Sequence, residues 1–455
     1  MSLRQFLNLV LVLNLAFTIA FLPFRHFSIN AAAEPIIVDN ELKVETVTGG
    51  LKSPSNIAFL GPNDILVLEK DTGKVRRIVN GVMLEKPLLD VNVANKKYER
   101  GLLGIDIESH NNSRPTHVFL YFTESKMTDG EDNCPLNNYC YPGNEPLGNR
   151  LYRYDLDEMN SKLVNPKLLL DLPATPGPAH NGGVVVIGPD GNVYVVIGDI
   201  LGDLNVTSRT AAQNFQNGSY PDGRAGILRV TKDGKTVGDG LLGKDGILNK
   251  YYAYGIRNSF GMDFDPVSGN LWDTENGPEY GDEINLVKPG FNSGWISIQG
   301  HWKPAKIHNH PLRDFVPGEV ILKPDSSVSF VNFSGYGTYS SPKFIWYMPM
   351  VPTALKFLNS DNLGEQYEND MFVGDIYGNI YHFDLRKNRT ELSLFGPITD
   401  KIANNPEEIQ TVKFGEGFGS SLSGITDIEM GPDGCLYVVS YEGTIFRIVK
   451  GINAP

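Results

Sequence analysis

Residues Gly431 to Ile448 read GPDGCLYVVSYEGTIFRI. Pro, Asp and Gly in succession make a tight turn, because Pro presets φ and Gly accepts the left-handed position. Ile445-Phe446-Arg447-Ile448 then alternates with a period of two, as a strand does. The phrase returns with variation. GPDGNVYVVIGD runs from Gly188 to Asp199, GPNDILVLEKDTGKVRRI from Gly61 to Ile78, and DPVSGNLWDTENG from Asp265 to Gly277. MFVGDIYGNIYHFDL (Met371 to Leu385) keeps the second half, and THVFLYFTE (Thr116 to Glu124) is a further strand of this kind. Each unit reads as a turn, an inner strand, a second turn and an outer strand. Helical periodicity is nearly absent. Self-similar strand units of this kind predict an all-β chain folded as a six-bladed β-propeller. The segment Ile36 to Thr48 is expected to complete the last blade and so remove a free edge. No inter-domain linker interrupts residues 34–455, which are expected to form one propeller.

Composition narrows the function. A formal net charge of −13 argues against nucleic acid as a partner, since phosphate binding needs a basic field. Arg4, the apolar run Phe6 to Phe24 and the small residues Ala31 to Ala33 form a signal-peptide pattern, with an uncleaved membrane anchor as the alternative for residues 1–33. Export is therefore expected, to the extracellular space or the cell surface, with membrane contact only through that segment. Sequons begin at Asn111, Asn205, Asn217, Asn332 and Asn388. In an exported chain, Cys134 and Cys140 in a polar loop favour a disulfide over a metal site, and Cys435 reads as a buried thiol.

The chemistry concentrates in TENGPEYGDEINLVKPGFNSGW, Thr274 to Trp295, and in YGIRNSFGMDF, Tyr254 to Phe264, just before it. Glycines let backbone carbonyls approach a ligand, and carbonyls with carboxylates are the oxygen donors that calcium takes. Arg257-Asn258 can hold an anionic or carbonyl-rich ligand. The bland alternatives stay open. Arg257 and Asn258 would bridge blades, Asp282 and Glu283 would be a solvated turn, His180 a turn histidine, and Glu99 a surface partner of Arg100. His301, His308 and His310 read as a polar loop, and Trp295 and Trp346 as packing aromatics or as a sugar platform. No nucleotide-phosphate loop, nucleophile elbow or His-Glu-x-x-His motif is present.

With these residues in view, the chain resembles the glucose/sorbosone dehydrogenase family, soluble quinoprotein sugar dehydrogenases that use pyrroloquinoline quinone (PQQ) and calcium on a six-bladed propeller. The resemblance spans almost the whole chain after residue 33. It rests on ERGLLGI (Glu99 to Ile105), AHNGG with its following turn (Ala179 to Gly191), GRAGILRV (Gly223 to Val230), YGIRNSFGM and NGPEYGDEINL through GFNSGW. It implies that His180 is the base taking the proton of a sugar's anomeric hydroxyl. It implies that Arg257 and Asn258 contact the cofactor, with Glu99 where the family usually has a glutamine touching it. The carbonyls of Gly277 and Pro278 would bind calcium, and Asp282 and Glu283 would serve a second, structural calcium. The partners implied are an aldose and an external electron acceptor.

Besides Glu99, the sequence departs from the family pattern at four places. Ala179 stands where an Asp commonly orients the base, and Tyr377, Gly424 and Thr426 stand where a Lys and two Arg bind the cofactor's carboxylates. Each lost charge-assisted bond is worth roughly 1.5–3 kcal/mol, and Lys356 is the cation that would replace part of this. Three functions therefore compete. One is an active aldose dehydrogenase forming a lactone. Another is a degenerate propeller that binds a glycan or a protein. The third is a calcium-dependent lactonase using Glu99, Asn181 and Asp199.

Overall fold

A computed structural model of the chain describes residues 34–95, 99–108, 115–127, 145–200, 209–306, 315–322 and 328–451. Residues 1–33, Cys134, Cys140, His308, His310 and the sequons at Asn111 and Asn205 lie outside the described residues. The strand prediction holds: among the described residues the α-helical content is one short helix, Pro406–Gln410. None of their helices is long and apolar enough to cross a membrane.

Antiparallel ladders follow one another along the chain. Pro54–Gly61, Asp64–Glu69, Lys74–Val79 and Val82–Met83 form one, and Leu102–Glu108, His117–Glu124, Gly148–Asp157 and Lys162–Leu172 the next. Val185–Ile187, Val193–Ile197, Gly226–Val230 and Tyr251–Tyr254 continue the series, then Gly261–Phe264, Leu271–Glu275, Asp282–Val287 and Phe344–Trp346. Pro352–Phe357, Met371–Asp375, Ile380–Phe383 and Lys413–Glu416 precede Ile425–Met430, Leu436–Ser440 and Thr444–Lys450. The first strand of each ladder packs on the first strand of the next, and Ile425–Met430 packs back on Pro54–Gly61. The sheets thus stand around a common axis, which is a β-propeller.

The ring closes by exchange of the chain's two ends. Leu42–Thr48 pairs antiparallel with Thr444–Lys450, Val44 opposite Ile448. The rest of the expected closing segment goes elsewhere: Ile36 and Ile37 pair with Glu416 and Gly415 of the neighbouring sheet.

The repeated turn is one object built several times. In GPDGNVY, Gly191 takes φ +73° and donates to the Gly188 carbonyl at 2.8 Å, while Tyr194 Oη donates to Asp190 at 3.0 Å. In GPDGCLY, Gly434 takes φ +72°, donates to Gly431 at 2.9 Å, and Tyr437 Oη donates to Asp433 at 3.1 Å. The strand after this turn is the second of its ladder, inside the strand that follows it. The innermost strand comes before the turn.

The second strands read as continuous apolar runs because both their faces are covered. Ile65 and Val67 pack with Val438 and Ile445 on one side, and Leu66 and Leu68 with Val118 and Leu120 on the other. Burying each such side chain contributes about 1.5–3 kcal/mol.

The innermost strands carry polar residues for a different reason. Their side chains accept backbone N–H groups of the next sheet: Asn56 from Ile105, Asp106 from Ile187, Asp263 from Phe357, and Asp427 from Ile57 across the closure. Lys356 sits among these acids, with Nζ 2.8 Å from Glu429 and 3.5 Å from Asp263. Burial raises the Asp106 carboxyl to about 6 and the Glu429 carboxyl to about 7, against the pull of the Lys356 ammonium. The folded chain therefore holds protons that the unfolded chain has already released between about pH 4 and 7, so stability falls as pH rises through that window. The urea midpoint is expected to be higher at pH 5 than at pH 8. A midpoint that is flat or rises over that range would contradict this assignment.

Candidate active site

The loops that enter the innermost strands gather at one end of the axis. Glu99 precedes Leu102–Glu108, His180 precedes Val185–Ile187, Arg257 and Asn258 precede Gly261–Phe264, and Gly424 precedes Ile425–Met430. Strand order around the ring thus brings residues distant in sequence into one place.

His180 is buried and holds a left-handed backbone, φ +61°. A residue with a Cβ reaches that region at a cost of about 1–2 kcal/mol. Its Nδ1 lies 2.5 Å from Oδ1 of Asp199, which is also buried. The other Asp199 oxygen accepts the Trp295 indole N–H at 2.8 Å. Burial alone would raise the Asp199 carboxyl, but the charge and hydrogen bond of His180, the charge of Arg257 and the Trp295 indole outweigh it and hold it below the usual range. An ionised Asp only accepts, so Nδ1 carries the proton and Nε2 is left as the basic nitrogen. Gly198 allows this closeness. A Cβ there would stand 2.4 Å from the Arg257 carbonyl oxygen and 2.8 Å from that of His180.

Asp199 thus stands against the imidazole, in the place expected for the residue before the histidine, where this chain has Ala179. Sequence reading placed Asp199 only among lactonase candidates. The available signal was the Gly-Asp pair closing the strand NVYVVI.

Arg257 donates from Nη1 to the carbonyls of Asn276 and Gly277, at 2.8 Å each, and its guanidinium lies 5.4 Å over the Trp295 ring. Its backbone N–H donates to Glu275 at 2.8 Å. Around it, Asn258 Oδ1, both side-chain polar atoms of Asn276, Thr274 Oγ1 and Tyr280 Oη are buried without a hydrogen-bond partner. Buried polar atoms are rarely left this way unless a ligand or water completes them. The floor of the site thus fits a polar group.

Asp282 and Glu283 are adjacent in a strand, so they face opposite sides. Asp282 accepts the backbone N–H groups of Gly277 at 2.8 Å and of Met350 and Val351 at 2.7 Å, tying two loops together. Glu283 faces Glu275 across the ladder, and Asp273 faces Asn285 on the same side. Burial first, then the neighbouring carboxylates, push Asp273 and Glu275 well up, and burial takes Glu283 to about 7. Both oxygens of Asp273 and Oδ1 of Asn285 lack a hydrogen-bond partner. Three buried acids without a cation beside them suit a hard divalent ion. Among the described residues no three such side chains already stand in a ligand cluster, so an ion would have to draw them together.

The three rim positions at which cations are expected have other surroundings. A Cβ at Gly424 would stand 2.3 Å from the Gly378 nitrogen, which leaves no room for a longer side chain. Thr426 Oγ1 donates to the Pro54 carbonyl at 2.9 Å, and Tyr377 is more than a third exposed on its turn. Lys356 is held by Glu429 and Asp263 among the innermost strands. Arg100, set against Glu99 in the sequence reading, is buried and donates to the carbonyls of Ala174 and Gly177.

The model of the Glucose / Sorbosone dehydrogenase family matches residues 51–316. The chain belongs to that family. It is 29% identical over 269 residues to quinoprotein glucose dehydrogenase B of Acinetobacter calcoaceticus, covering 56% of this chain and 53% of that protein. It is 25% identical over 407 residues to the aldose sugar dehydrogenase YliI of Escherichia coli, covering 89% of this chain and 91% of that one. The PQQ-bound aldose sugar dehydrogenase of Streptomyces coelicolor has the same fold, with a TM-score of 0.60, 20% identity, and coverage of 90% of this chain and 98% of that chain. Within this family the chain has a buried histidine–aspartate pair, His180 and Asp199.

Proposed function

We propose that this glucose/sorbosone dehydrogenase oxidises an aldose at its anomeric hydroxyl to the lactone, with PQQ and calcium, and passes the electrons to an external acceptor. It would do so as an exported six-bladed propeller, each antiparallel ladder from Pro54 onward being one blade, with residues 1–33 as signal peptide or anchor. The observation that carries this reading is the His180–Asp199 pair, with Nδ1 2.5 Å from the carboxylate. His180 Nε2 takes the hydroxyl proton, and Asp199 stabilises the imidazolium that results. Trp295 holds the second Asp199 oxygen and keeps the pair in register. Arg257 and Asn258 would hold the cofactor's carbonyl end against the unpartnered atoms of Asn276 and Tyr280. The carbonyls of Gly277 and Pro278 would hold one calcium, and Glu283 with Glu275 and Asp273 a second. PQQ, when bound, supplies the two-electron acceptor.

The rim favours a second reading, a propeller that keeps the fold and calcium but binds a glycan or protein without redox chemistry. A lactonase has less support because its candidate residues hold the His180 loop and the imidazole itself. Glu99 accepts backbone N–H groups, Asn181 Oδ1 accepts Asn149 Nδ2 at 2.9 Å, and Asp199 accepts from His180 and Trp295.

Calorimetric titration of calcium-loaded protein with PQQ separates the first two readings. A saturable single site supports the dehydrogenase. No heat of binding at high micromolar PQQ supports the non-catalytic propeller.

A further inference from the structure

We propose that Glu99 is a positioning residue that seats the His180 loop, beyond the cofactor contact that its family position suggests. Its Oε2 accepts the backbone N–H of His180 and, at 3.3 Å, that of Asn181. Two successive N–H groups converging on one oxygen form a concave anion seat, and here the anion is the chain's own carboxylate. The other Glu99 oxygen lies 3.4 Å from Asn258 Nδ2. One side chain therefore ties the loop of His180 to the loop of Asn258, across two sheet boundaries.

The loop needs such a hold at this point. Asn181 is fixed independently, by Nδ2 to the Pro178 carbonyl at 2.7 Å, by Asn149 at 2.9 Å, and by Tyr121 Oη on its carbonyl at 2.9 Å. The left-handed His180 has its N–H on Glu99. Arg100, the next residue, grips the carbonyls of Ala174 and Gly177 at the other end of the same loop. Glu99 and Arg100 thus clamp both ends of the segment that presents the imidazole. The short reach is set by the strand that follows. A Cβ at Gly104 would fall 1.7 Å from the Gly183 carbonyl oxygen, so that strand runs directly against the loop.

The proposal rests on the reading of His180 as a base only for its consequence in turnover, and its test does not need PQQ. Backbone amide exchange and the imidazole N–H resonance of the His180–Asp199 pair are measured by NMR in the wild-type chain, Glu99→Gln and Glu99→Ala. The wild-type His180 amide is expected to be protected, Glu99→Gln to keep protection within a few-fold because an oxygen remains in the seat, and Glu99→Ala to exchange at least tenfold faster and to lose the downfield N–H signal. If the protein does oxidise sugars, Glu99→Ala lowers kcat more than it changes KM, and Glu99→Gln restores it. An unprotected wild-type His180 amide overturns the proposal, and so does protection in Glu99→Ala equal to wild type, or loss in Glu99→Gln as complete as in Glu99→Ala. If Glu99→Ala does not fold, the wild-type amide and Glu99→Gln still decide it. Failure of sugar oxidation with the NMR pattern intact removes the proposed function and leaves the positioning role standing.

Discussion

Replacing Asp199 with asparagine is expected to lower kcat for sugar oxidation by about 10⁴-fold, the scale set by the same change in a Ser-His-Asp triad. The reason lies in Trp295. Its indole N–H donates to one Asp199 oxygen, and His180 Nδ1 lies against the other. An asparagine that keeps an oxygen for Trp295 must turn its NH₂ towards His180. Nδ1 then accepts, the proton moves to Nε2, and the histidine cannot take a proton from the substrate. KM is expected to change little, since the substitution does not touch the sugar, and the thermal midpoint should stay near wild type. Steady-state dye reduction with PQQ and calcium present measures this. A kcat within tenfold of wild type would take Asp199 out of the mechanism.

The second large effect concerns the axis. Lys356→Met is expected to destabilise the protein by about 3 kcal/mol, the low end for removing one partner of a buried charge cluster, because a fifth of the Lys356 side chain is still exposed. Methionine fills much of the same volume, so the loss is electrostatic. Asp263 and Glu429 then lose the cation between them. The cluster responds by taking up protons, so the difference between variant and wild type should shrink as pH falls towards 5. Urea unfolding at pH 8 and pH 5 reads both quantities. An equally stable variant at pH 8 would show that Lys356 does not hold the inner strands.

The turns and second strands were legible in the sequence because they are local and repeated. Asp190 with Tyr194 and Asp433 with Tyr437 are each four residues apart. The innermost strands were hidden. Stretches such as GMDF and TALKF carry an Asp or a Lys that reads as solvent-facing, and only ring closure shows that it faces an enclosed axis. The closing hydrogen bond, Asp427 to the Ile57 N–H, spans 370 residues, and no local pattern reports it.

The site shows the same division. His180, Arg257 and Asn258 were marked by their motifs, and the structure places them at one end of the ring. A carboxylate against the histidine was sought next to it in sequence, but it comes from Asp199, just past the end of Val193–Ile197 and 19 residues on. Lys356 looked available for an anionic ligand until its partners Glu429 and Asp263 were in view. Asp282 and Glu283 looked like one acidic pair, but strand alternation sends one to the loops and the other to the buried acids.

The most direct test of the account is aldose-dependent dye reduction by calcium- and PQQ-loaded protein, with His180→Ala measured beside wild type. The account predicts turnover in the wild-type chain that is abolished in the variant. No aldose-dependent reduction by wild type, or equal turnover in both, would contradict it.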